Sequence, residues 1–135
     1  MKVIEKSDKP YLFEDYPLPV GFRFPESYLF LLEKRPPDIE PWEWLASYKE
    51  LSISWMNIIK KQFPYRTVIP FAKRDDSDDV SCFDGTDTSG NPKIIFIHTF
   101  CSPGSENRGE ANNFDDWLEV TKEESRQFKL GSVEN

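Results

Sequence analysis

Long apolar runs are missing from this sequence. No stretch approaches the roughly 20 residues that a membrane-spanning helix needs, and the opening MKVIEKSDKP lacks the apolar core of a secretion signal. Metal-ligating patterns are missing too. There is one histidine, His98, and the two cysteines, Cys82 and Cys101, form no C-x-x-C. The six glycines build no G-x-x-x-x-G-K-S/T, G-x-G-x-x-G or G-x-S-x-G. Basic residues are in short supply, 17 against 24 acidic ones, for a formal net charge of −7. That balance is a poor match for the phosphates of a nucleic acid and a better one for a basic protein. Together these absences predict a soluble, cytoplasmic protein with no disulfide framework, no metal, no cofactor and no nucleic-acid or membrane partner.

Aromatic residues are plentiful: 11 Phe, 5 Tyr and 4 Trp in 135 residues. That supply suits one ring-rich domain over residues 1–135. An irregular lead-in is expected over about residues 1–20, laying Tyr11, Phe13 and Tyr16 on the domain, and a frayed tail over about 128–135. FPESYLFLLEKR predicts a helix. Pro25 suits its first turn, Glu26 and Lys34 complement its ends, and Pro36 and Pro37 stop it. Trp42 and Trp44 flank Glu43 on a short extended segment. Ser47 and Glu50 make a capping-box pattern ahead of Leu51, Trp55, Ile58, Ile59 and Phe63, predicting a helix over about 48–62. Consecutive antiparallel strands are expected over 66–73, 79–84 and 93–100, with Pro70 marking an edge or a bulge. SPGSENRGEANN reads as a polar loop, and Asn113 as the cap of a last helix with Asp115 and Asp116 in its first turn. The class is α+β.

The densest feature is the run after Arg74, where Asp75, Asp76, Asp78 and Asp79 lie within five residues. As a calcium loop from Asp75 it fails, because the sixth residue is Val80 and the twelfth Thr86. As a general acid–base pair it is poorly placed, since crowded loop carboxylates stay solvated and ionised. Cys82 and His98 could form a thiolate–imidazole pair only in one strand register, and no glycine-rich turn lies beside them to hold an oxyanion. Two readings remain for the aspartates: a solvated turn, or a contact surface for a partner. Charge is polarised along the chain. Residues 75–87 hold six aspartates and no Lys or Arg, and residues 106–124 are also strongly acidic. Their sharing a face is a matter for the fold. Trp42 and Trp44 are further partner-contact candidates if their extended segment is exposed. Trp117, at helical spacing, belongs to the core.

The residues also carry a resemblance. FPESYLFLL resembles the early L-P-x-x-Y-x-x-F-L helix of the SUKH superfamily, the Smi/Knr type. VIPFAKRDDSDDVSCFD resembles its central I-P-F-A-x-x-x-x-G-D-x-x-C-x-D hairpin, and NNFDDWLEV its closing S-F-x-x-W-L helix. The likeness spans about residues 18–120 in the same order, and departs at EKRPPDIEPW and at DDSDD, where the family carries glycine. It implies a central antiparallel sheet flanked by helices. It also implies a function without catalysis. Bacterial members resemble cytoplasmic immunity proteins that bind and neutralise a cognate polymorphic toxin, often a nuclease. Fungal members are interaction modules tied to cell-wall regulation. The expected partner is a toxin with a basic surface meeting Asp75, Asp76, Asp78 and Asp79. A regulatory module with another protein partner is the alternative, and a small enzyme the third reading.

Overall fold

Proline and glycine punctuation cuts the chain into short elements. The computed structural model describes residues 4–134, with side chains through residue 131. Helix α1 (Glu26–Lys34) precedes strand β1 (Trp42–Trp44), a 3-10 turn at Leu45–Ser47, and helix α2 (Lys49–Gln62). Strands β2 (Val68–Arg74), β3 (Asp79–Asp84), β4 (Ile94–His98) and β5 (Asn107–Ala111) follow, and helix α3 (Phe114–Glu134) closes the chain. The strands form one antiparallel sheet in sequence order. It is the expected α+β arrangement, a central antiparallel sheet flanked by helices.

Side-chain alternation divides the sheet into two faces. Phe83 and Ile94 join Tyr28 and Leu32 of α1 and Phe114, Trp117 and Leu118 of α3. Val80, Cys82, Ile95 and Ile97 pack instead with Ile59 of α2 and with Phe63. Both Cys82 and Phe83 are therefore buried, on opposite faces. Pro70 marks a bulge in an interior strand, with the β2–β3 register shifting between Pro70 and Ala72. The extra residue lets two neighbours, Phe71 and Ala72, enter the same cluster. Phe71 then stacks on Phe83 at 4.2 Å between ring centroids. Trp117 meets Phe71 edge-on at 4.8 Å, and its Nε1–H donates to the buried Ser81 hydroxyl at 2.9 Å.

Several expectations are corrected. Ser47 does not cap α2. It lies in the 3-10 turn, Tyr48 occupies the cap position, and the Lys49 N–H donates to Ser7 Oγ of the lead-in at 3.1 Å. A distant side chain thus supplies a capping acceptor that the local pattern appeared to supply. The lead-in is fixed further by Tyr11, whose N–H donates to the Ala46 carbonyl, and Tyr11 and Phe13 are buried as expected. Asn113 does cap α3, accepting the Asp116 N–H at 2.9 Å. The supposed polar loop contains β5, an edge strand of exposed residues whose polarity hid it. Helix α3 runs to Glu134, through the stretch where a frayed tail is expected, and Asn135 lies outside the described residues, as does the start of the lead-in, residues 1–3. Strand β4 ends at His98, which leaves Phe100 out of the sheet.

Candidate functional site

The β2–β3 turn carries the aspartates to one end of the sheet, and there they separate into two kinds. Asp76 is held internally: Arg74 Nε donates to it at 2.6 Å while Arg74 Nη1 donates to Glu124 of α3 at 2.7 Å. That guanidinium holds the Asp76 carboxyl below the usual aspartate value. Asp79 is held by His98, its cross-strand neighbour, whose Nδ1 lies 2.7 Å from Asp79 Oδ1. Among the described residues, Asp75 and Asp78 have no salt bridge, and both are exposed. Backbone bonds fix their positions: the Asp75 N–H donates to the Pro41 carbonyl, and the Asp78 carbonyl accepts both the N–H and the hydroxyl of Thr99.

Arg74 also answers how the two acidic stretches are related. By bridging Asp76 and Glu124 it brings the turn against α3, so the acidic tip and part of the acidic helix share one corner. The guanidinium rests over the Trp42 ring at 5.7 Å. Glu43, in register with Lys73 of β2, adds a half-buried carboxyl. Burial first, then the nearby charge of Asp75, pushes its pKa above the usual glutamate value.

Trp42 and Trp44 are not surface anchors. They are 5% and 6% exposed and both pack edge-on against Trp117, at 6.0 and 5.6 Å. The alternation of β1 turns both rings to the α3 side, which a three-residue extended segment seen alone does not reveal. Trp44 Nε1–H reaches the Pro37 carbonyl at 2.9 Å, and Trp42 serves as the platform beneath Arg74.

Cys82 and His98 are not brought together. Cys82 is opposite Ile95 and packs with the α2-side cluster, while His98 is opposite Asp79. Burial pushes the Cys82 thiol far above its ordinary value, which disfavours the thiolate a nucleophile needs. Cys101 is only partly buried, and its Sγ–H points to the His98 carbonyl at 3.1 Å. Among the described residues, no group of three His, Cys, Asp or Glu is placed to hold a metal ion.

The loop between β4 and β5 flanks the acidic turn and was not singled out by sequence. Glu106 anchors it from inside. Only 1% exposed, its carboxylate accepts Arg66 Nε at 2.9 Å, Tyr65 OH at 2.9 Å and the Gly104 N–H at 2.7 Å. Burial pushes this carboxyl upward, but its backbone, Arg66, Tyr65 and Gly104 hydrogen bonds outweigh burial and bring it down to about 2. At the loop's other end Phe100 is 62% exposed, with its N–H donating to Gln62 Oε1 at 2.7 Å and its ring edge-on to Trp55 at 6.3 Å. Comparison with protein-family models, with curated proteins and with solved structures returns no match.

Proposed function

We propose that this chain works by binding, not catalysis, as a cytoplasmic immunity protein of the SUKH type that neutralises a cognate toxin through a basic surface of that toxin. The observation that carries the reading is the pair of carboxylates, Asp75 and Asp78, fixed by backbone bonds and exposed beside a corner that already holds Glu43, Asp76 and Glu124. A surface of that sign speeds association with a basic protein and discriminates against acidic ones. A nuclease is a fitting target, since its own substrate demands positive charge.

The family part of the reading rests on the three motif stretches. FPESYLFLL supplies Tyr28, the hairpin stretch supplies Phe71 and Phe83, and NNFDDWLEV supplies Phe114 and Trp117. These rings meet in one cluster, with Tyr28 5.1 Å from Phe83 and 5.2 Å from Phe114. Residues that carry the resemblance are thus the ones that carry the core.

The test is rescue. The protein encoded beside this one is expressed alone and then together with this chain, and growth is followed. Killing alone, survival together and a complex on a sizing column are expected. Killing in both cases overturns the immunity reading, and no killing in either case favours a regulatory module with another partner.

A further inference from the structure

Among the described residues, two other than glycine adopt a left-handed backbone, Phe13 at φ 61° and Phe100 at φ 59°. Both are strained, because a side chain crowds the backbone there. Phe13 has a compensation inside the protein: its ring is 5% exposed, within the cluster that includes Tyr11. Phe100 has none of comparable size. Its strained backbone turns a large apolar ring outward, 62% exposed and edge-on to Trp55.

The surroundings hold that conformation from both sides. Thr99 is tied to the Asp78 carbonyl by two hydrogen bonds, and the Phe100 N–H is tied to Gln62. The remainder of the loop is pinned through Glu106 to Arg66 and Tyr65. Phe100 is therefore a preorganised feature next to the acidic turn, and an exposed ring that is already ordered loses little entropy on binding. Lys73, whose ammonium donates to the Ser77 and Arg74 carbonyls and lies over Trp55, and Arg74 offset part of this acidity, but Asp75, Asp76, Asp78 and Asp79 with Glu43 and Glu124 outnumber them and leave the corner negative.

We propose that Phe100, on its step of Trp55, is the apolar anchor of a docking surface whose charged rim is Asp75 and Asp78, and that its occupant is a basic protein with an apolar pocket for the ring. The choice of a basic occupant follows from the acidic turn next to the ring: Asp78, whose carbonyl holds the adjacent Thr99, and Asp75 on the same turn are exposed and have no salt bridge among the described residues. This deepens the binding function proposed above and rests on it only for the identity of the partner as a toxin.

The test places a photo-crosslinking phenylalanine at position 100 of the full chain in its native cell, and separately at position 30, where Phe30 is equally exposed on α1. The expected result is a crosslink from position 100 and not from position 30, to a protein of basic isoelectric point. The purified partner then binds wild type, and Phe100→Gly, which suits the backbone, weakens it by about 30-fold. Asp75→Lys with Asp78→Lys slows association about tenfold or more at low salt. No crosslink at position 100, an acidic captured protein, or an affinity within twofold of wild type for Phe100→Gly overturns the proposal. If the captured basic protein meets these criteria but does not kill, the surface stands and the immunity reading falls. If the toxin from the rescue assay binds Phe100→Gly as tightly as wild type, immunity stands and this surface falls.

Discussion

Glu106 and the aspartates of the β2–β3 turn are all carboxylates near one end of the sheet, yet they differ in their surroundings. Glu106 is enclosed and receives bonds from Arg66, Tyr65 and Gly104. Asp75 and Asp78 face water, with no salt bridge among the described residues. Asp76 and Asp79 stand between, each exposed in part and each answered by one basic group. A carboxylate whose donors are inside the chain serves the fold. One that lacks them is open to donors from outside. Counting negative charges along the sequence merges these roles, and the hydrogen-bond partners separate them.

The comparison can be broken by substitution. The largest effect is expected from Trp42, which belongs to the enclosed part: Trp42→Ala should cost about 3–5 kcal/mol in denaturant unfolding. A loss below about 1 kcal/mol would place the ring on the surface after all. Glu106 comes next. Its folded pKa of about 2 is below the ordinary 4.5, so the fold prefers the ionised form. The stability it contributes is complete above the unfolded value and is lost as pH falls from about 4.5 toward 2, by about 3 kcal/mol in total. Glu106→Gln should therefore be less stable than wild type at pH 7 and converge on it near pH 2 in paired thermal melts. A constant gap across that window would mean that the charge is not what the loop uses.

Phe100 sharpens the same contrast among aromatic residues. Since glycine takes positive φ freely, Phe100→Gly should be more stable than Phe100→Ala by about 1 kcal/mol. Equal stabilities would remove the strain argument. The smallest effects belong to the turn. Asp76→Asn should cost about 0.5–1 kcal/mol through the loss of Arg74, whereas Asp78→Asn should stay within about 0.5 kcal/mol of wild type. Matching losses for the two would erase the division between held and displayed aspartates.

The sequence was most legible where local chemistry and tertiary need agree. Strand β3, α2 and the Asn113 cap fall where turn residues, apolar spacing and first-turn acids put them. The bulge was legible through Pro70. Strand β5 was not, because NRGEA is an exposed edge with no apolar alternation to mark it. The capping box misled, since Ser7, some forty residues away, occupies the role assigned to Ser47. Of the site, the aspartate turn was visible and its internal pairing was not, because Glu124 and His98 meet it only in three dimensions. The burial of Trp42 and Trp44 was not legible, because β1 is too short to show which face is covered. Phe100 read as the last residue of an apolar strand, and nothing in HTFCSPG announces a left-handed phenylalanine.

The measurement that bears most directly on the proposed binding through this end of the sheet is the association rate with the partner captured at position 100, across a range of salt, for wild type and for Asp75→Lys with Asp78→Lys. The account predicts a wild-type rate that falls steeply as salt rises, and a variant that starts much slower and depends little on salt. Identical rates and identical salt dependence for the two proteins would contradict it.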